Sequence, residues 1–255
     1  MQKQAWLFSM TATVLGAFGL LLRWLQCQLI FDAETGLPAR GAFISYLLVA
    51  VLIAFVAGLW WLSGKLDTDG AREEPEDALA IRLKRTGWAL AAAAVIAGGG
   101  AALMFFTVDT MFLRVTALLG LLSAAVLALI PSLPRWGGFG AFLSVIPVVF
   151  FCLWMVVFYK DNSTNPLLWQ YAMQILAMAA CLLGTFRLSG YLFYRMKPRR
   201  AVFACGLALT FALTVLMDET GAAARLMLLG WGAGLGVMSW VLVRNMETEE
   251  ENKAE

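Results

Sequence analysis

Eight long apolar stretches, separated by loops whose basic residues fall on every second loop, leave this chain few ways to fold. They run Trp6 to Gln26, Ala42 to Ser63, Gly87 to Phe106, Met111 to Ile130, Phe139 to Tyr159, Leu167 to Arg187, Val202 to Met217 and Arg225 to Val243. A hydrocarbon layer of ~30 Å is crossed by roughly 20 apolar residues in a helix. Each stretch meets or approaches that length, and the seventh, with 16 residues, is the shortest. Only 14% of the residues are charged and 61% are hydrophobic, against about 25% charged in a soluble domain. A water-soluble fold cannot hide that much apolar surface. The expected fold is all-α: a polytopic transmembrane bundle of about eight helices forming a single domain over 1–246, with a cytoplasmic loop and interfacial helix at 64–86. An acidic, disordered tail is expected over 247–255.

Lys and Arg set the orientation, because short loops rich in them stay on the cytoplasmic side. The 64–86 loop carries Lys65, Arg72, Arg82, Lys84 and Arg85, and the 188–201 loop carries Arg195, Lys197, Arg199 and Arg200. Together with Lys3, Arg135, Arg187, Arg244 and Lys253, these put 14 of the 19 basic residues on one side. Both termini are therefore expected to be cytoplasmic, with four hairpins pointing outward. Were the seventh segment not to span, the C-terminus would change sides. The first segment reads as a retained helix, since its apolar run is longer than a signal h-region and no small-x-small cleavage site follows. Gln26 stands where a small residue would precede a lipid-bearing Cys27.

The four cysteines, Cys27, Cys152, Cys181 and Cys205, fall in or beside apolar segments with no C-x-x-C spacing, so neither zinc ligation nor a disulfide framework is indicated. Histidine is absent, which removes bis-His haem ligation, H-E-x-x-H zinc chemistry, Ser-His-Asp catalysis and His-based proton relays. The middle of every segment is free of Asp, Glu, Lys and Arg. A pump with a midplane carboxylate is disfavoured, as is an aspartyl intramembrane protease. Arg23 is the deepest charge. With Trp24 beside it in an aromatic belt, its plain reading is a side chain snorkelling to the headgroups.

Each outer hairpin carries an Asp where its first helix ends (Asp32, Asp109, Asp161 and Asp218), followed within a few residues by a Thr (Thr35, Thr110, Thr164 and Thr220). Turn and cap chemistry accounts for this pattern, and Asn165-Pro166 is a ready N-cap with Pro at the first helical position. The other reading is a duplicated hairpin or a shared charge cluster, with residues 31–40 most like residues 217–225. Asp32, Glu34, Asp109, Asp161, Asp218 and Glu219 set against Arg23, Arg40, Arg114, Lys160 and Arg225 give a nearly neutral rim. Such a rim suits a zwitterionic or polar ligand, or plain ion pairing between hairpins.

Gln170, Gln174, Ala177, Cys181 and Gly184 recur on one face of the sixth segment, which should turn toward other helices or a wet cavity. Small-xxx-small pairs at Gly230/Gly234 and Gly232/Gly236, and the run Gly98 to Gly100, mark close helix packing. Pro147 interrupts the fifth segment. In the 64–86 loop, acids at Glu73, Glu74, Glu76 and Asp77 precede bases at Arg82, Lys84 and Arg85, the order a helix dipole favours, so one short helix is expected there. Asp67-Thr68-Asp69 reads as a solvated turn.

The stretch Tyr159-Lys160-Asp161-Asn162-Ser163-Thr164-Asn165-Pro166 with Tyr171, and Phe31-Asp32 with Thr35-Gly36-Leu37-Pro38, resemble multi-pass membrane proteins of unknown function from Gram-positive bacteria. The resemblance implies a bacterial plasma membrane and carries no activity with it.

Two function classes follow. One is a small permease or the membrane subunit of a transport or signalling complex. The other is a membrane-embedded enzyme acting on lipid or envelope substrates, needing a reactive pair that only Asp109, Asp218 and Glu219 are placed to supply. A ligand-sensing or scaffold protein is a third. The residues lean away from an enzyme, and no catalytic set, metal site or cofactor is read from them. Candidate ligand-binding residues are Arg23, Asp109, Arg114, Gln170, Gln174, Asp218, Glu219 and Arg225. Expected partners are membrane lipids and either further membrane subunits or a polar small molecule, with no nucleic acid.

Overall fold

A computed structural model describes residues 3–29, 43–66, 74–163, 168–218 and 221–254, with the backbone alone at residues 3, 168–170 and 247–254. Among them every regular element is a helix. In chain order these are α1 (Lys3–Leu29), α2 (Phe43–Gly64), α3 (Pro75–Leu79), α4 (Lys84–Thr107), α5 (Met111–Leu129), α6 (Gly137–Asn162), α7 (Leu168–Leu192), α8 (Pro198–Thr214) and α9 (Ala222–Ala254). Seven stretches are long and apolar enough to cross a membrane. The longest, the 52 residues of Met111–Asn162, holds both α5 and α6 folded against each other. The chain is thus an all-α membrane-protein bundle of eight long helices, with the short α3 between the second and third.

Local chemistry sets the breaks. Pro131 and Pro134, lacking an N–H, fall in the 3-10 turn Ile130–Trp136 that closes α5. Gly137 then takes a φ of +55°, which glycine adopts without a steric penalty. At the end of α7, the N–H of Arg195 bonds the carbonyl of Gly190 at 2.8 Å and that of Tyr194 bonds Tyr191 at 3.1 Å. This is a Schellman stop, and Tyr194 holds its left-handed position at φ 55°. Helix α6 runs unbroken through Pro147.

The seventh segment, the shortest in the sequence, lies at the centre. Helix α8 packs against α1, α2, α7 and α9, and 72% of its apolar window is buried, against 22% for α2. A helix surrounded by protein can be built from small and weakly polar residues, as Ala201, Ala204, Gly206, Ala208 and Thr210 show. With the 3-10 turn Val215–Met217 it makes a 20-residue stretch, about 30 Å at helical rise. Small residues also set the α4–α9 contact. A Cβ on Gly100 would lie 2.6 Å from the Met227 backbone nitrogen, and one on Gly230 would strike the Ala97 backbone. Phe150 and Phe151 of α6 meet Trp231 of α9 with ring centroids 6.5 and 5.2 Å away, and Trp154 packs on the same two phenylalanines at 5.4 and 6.0 Å.

The basic loops share one end of the bundle. Arg199 Nε donates to the Leu66 carbonyl at 3.2 Å. Asn245 near the end of the apolar part of α9 bonds the carbonyls of Asp77, Ala78 and Ala80 at 2.9–3.2 Å, and α3 packs on the 3-10 turn that carries Arg135. Trp6, Trp60, Trp61, Trp88 and Trp136 are exposed near this end, as an interfacial belt requires.

Three expectations meet a different arrangement. The short helix expected in the 64–86 loop forms as α3 but stops at Leu79, short of the bases, where the Asn245 amide takes its terminal carbonyls and the chain leaves the helix until α4. Arg23 does not snorkel but is buried inside the bundle. Helix α9 continues to Ala254 through the acidic stretch where a disordered tail is expected, which Glu and Lys as good helix formers permit.

Candidate functional site

Helix α1 turns Ala12, Gly16, Gly19 and Arg23 toward α8, each one turn or so from the next. The two helices run parallel. Thr210 Oγ1 donates to the Ala12 carbonyl at 3.1 Å, a Cβ on Gly16 would lie 2.7 Å from Leu213 Cδ1, and one on Gly19 would strike the Thr214 hydroxyl. This close approach delivers Arg23 to Asp218, which follows the 3-10 turn Val215–Met217. Trp24, one residue on, faces outward.

Arg23 Nε donates to Asp218 Oδ1 at 2.5 Å and its Nη1 to Gln26 Oε1 at 2.6 Å, while Gln26 Nε2 donates to Ser45 Oγ of α2 at 3.0 Å. Arg23, Gln26 and Asp218 are 2%, 0% and 1% exposed. A polar chain therefore joins α8, α1 and α2 in an apolar setting, where an unpaired charge would be very costly. Burial pushes the Asp218 carboxyl above its ordinary range, opposed by the charge and hydrogen bond of Arg23 and the charge of Arg225 near the start of α9. Asp218 Oδ2 is buried with no hydrogen-bond partner among the described residues, and the same holds for Gln174 Oε1 in α7.

Arg23 and Asp218 are thus brought together, with Arg225 exposed near the start of α9. Gln174, in the second turn of α7, is buried on the inward stripe with Ala177, Cys181 and Gly184. Asp109 and Arg114 belong instead to the exposed α4–α5 turn, where Arg114 Nε donates to the Val108 carbonyl at 3.0 Å. Thr110 begins α5 without a side-chain cap bond. The Gln170 side chain, Glu219, and the hairpin over 31–40 with its proposed likeness to 217–225 lie outside the described residues. Sequence reasoning missed Gln26 and Ser45. Gln26 follows Arg23 by one helical turn, which was the available signal.

Among the described residues, no three His, Cys, Asp or Glu side chains converge to hold a metal ion. The arrangement offers instead a fixed guanidinium–carboxylate pair with one open carboxylate oxygen. It can accept a hydrogen bond from a polar molecule, or part so that each charge meets a ligand of opposite sign. No family model, curated protein or solved structure matches the chain.

Proposed function

We propose that this protein handles a polar, zwitterionic solute, as a small permease or the membrane subunit of a transport or signalling complex, in a bacterial plasma membrane with both termini cytoplasmic. The observation that carries the reading is the buried Arg23–Asp218 pair, with Asp218 Oδ2 lacking a donor. Ionisable groups inside a membrane bundle are costly and mark solute or ion paths. A zwitterion supplies an ammonium donor for Asp218 and a carboxylate for Arg23 or Arg225, so it can replace the internal pair without leaving either charge bare. The basic loops at one end support the orientation, and the resemblance to Gram-positive membrane proteins supports the compartment. Of the carboxylates an enzyme would need, Asp109 is on an exposed turn and Asp218 is held by Arg23.

The test is uptake of labelled amino acids into proteoliposomes, paired with thermal shifts of the purified protein. At least one zwitterion should be taken up or should stabilise the wild-type protein, and Asp218→Asn should cut that response tenfold or more. Absence of uptake and of any solute-dependent shift would sink the reading in favour of a scaffold.

A further inference from the structure

Four buried side-chain oxygens have no hydrogen-bond partner among the described residues. Two are the hydroxyls of Ser9 and Tyr191, nearer the basic end, in the second turn of α1 and the last of α7. The other two, Asp218 Oδ2 and Gln174 Oε1, belong to the opposite end. They are carboxylate and amide oxygens, which only accept.

Their depth in the bundle follows from the packing of α7. On its inward stripe, a Cβ on Gly184 would lie 3.6 Å from the Ala204 carbonyl oxygen of α8 and 2.9 Å from Leu235 Cδ1 of α9, so the stripe faces those two helices. Gln174, 2% exposed, lies on the same stripe, earlier in α7 by about 15 Å of helix. Because α7 and α8 form an antiparallel hairpin, the same distance along α8 from Ala204 leads to Thr214, where the 3-10 turn Val215–Met217 begins. That turn packs on α1, α7 and α9 at once and delivers Asp218 about one helical turn beyond the level of Gln174. Helix side chains lean toward the N-terminus of their own helix, so the Gln174 amide leans toward Asp218.

Arg23 already holds Asp218 Oδ1, which leaves Oδ2 as the free side of the carboxylate. An unmet acceptor inside a bundle is costly, and two on neighbouring elements call for one group with two donors. A hard metal ion takes about six oxygens or more. The ammonium of a zwitterion meets both acceptors by itself.

We propose that Asp218 Oδ2 and Gln174 Oε1 together form the amino-group subsite for the zwitterion, and that this subsite requires an ammonium group with at least two N–H bonds. The inference rests on the zwitterion reading and narrows it to primary and secondary amino acids, with tertiary and quaternary ones rejected. Asp218 supplies the charge, and Gln174 makes the second N–H necessary.

Each amino acid that is taken up by proteoliposomes or stabilises the purified protein is compared with its own N-methyl, N,N-dimethyl and N,N,N-trimethyl forms, by competition or thermal-shift titration. For glycine these are sarcosine, dimethylglycine and glycine betaine, which keep the charge and the carboxylate while the N–H bonds are lost in turn. The N-methyl form should bind much as the parent does, the dimethyl form about tenfold more weakly and the trimethyl form about 100-fold more weakly, a tenfold step for each hydrogen bond lost. In Gln174→Leu one acceptor remains, so the step between the N-methyl and dimethyl forms should vanish and the last step should persist. Bulk at the nitrogen would not produce that pattern. A Gln174→Leu protein that keeps both steps would overturn the role of Gln174, and the wild-type series decides the proposal even where this variant does not fold. Equal binding of all four forms would overturn the subsite and leave the zwitterion reading standing, whereas a response to no amino acid would overturn both.

Discussion

Arg23 is tolerated inside the bundle because Asp218 and Gln26 occupy its donors, so each partner's cost is set by the other. Removing one leaves a buried, unpaired charge, which typically destabilises by about 3–5 kcal/mol, whereas replacing both with apolar residues is often neutral. Arg23→Leu should therefore lower stability in detergent by about that amount, and Arg23→Leu/Asp218→Leu should recover most of it. Equal losses in the single and double variants, followed by chemical denaturation, would show that the two side chains are not coupled. The snorkelling reading of Arg23 passed over a signal that the sequence does carry. Ala12, Gly16 and Gly19 lie on the Arg23 face of α1 and mark it as the side that meets another helix, while Trp24 marks the lipid side. Asp218 gave no such sign, because Met217-Asp218 at a segment end looks like any helix stop, and its burial depends on α8 lying parallel to α1, a contact 195 residues apart in the chain.

Elements were legible where apolar length alone decides them, and less so where a distant partner does. All eight segments became helices, but the short loop helix took in only the acids Glu76 and Asp77 and stopped before the bases, where the Asn245 amide from α9 bonds the carbonyls of Asp77, Ala78 and Ala80. The glycine runs were readable as close-packing signals without saying which glycine packs. In α4, Gly100 faces the Met227 backbone at 2.6 Å from a would-be Cβ, whereas Gly99 meets nothing within 4 Å. Backbone cannot yield as a side chain can, so Gly100→Ala must push α4 and α9 apart, at a cost of about 1–3 kcal/mol. Gly99→Ala should stabilise by up to roughly 1 kcal/mol through helix propensity alone. Thermal unfolding of the two variants beside the wild type measures the contrast, and a Gly100→Ala protein as stable as Gly99→Ala would contradict the α4–α9 register.

For the whole molecule, two separate features divide the bundle into ends. At one end Arg199 bonds Leu66 and Asn245 bonds Asp77, Ala78 and Ala80, while Arg23, Gln26, Ser45 and Asp218 meet at the other. Neither feature says which end faces the cell interior, and the proposed orientation rests on the excess of Lys and Arg at the first. Exposed positions at each end make this testable: Asp161 at the end of α6 and Arg195 on the α7–α8 turn. With Cys27 and Cys152 replaced by Ser and the buried Cys181 and Cys205 left in place, a cysteine is introduced by Asp161→Cys or Arg195→Cys. A membrane-impermeant maleimide added to intact cells should label Asp161→Cys directly and Arg195→Cys only after lysis. The reverse pattern would invert the protein and place the basic loops on the outer side. Labelling of both in intact cells would break the alternation of spans, because α6 followed by α7 must carry the chain back across the bilayer before Arg195 is reached.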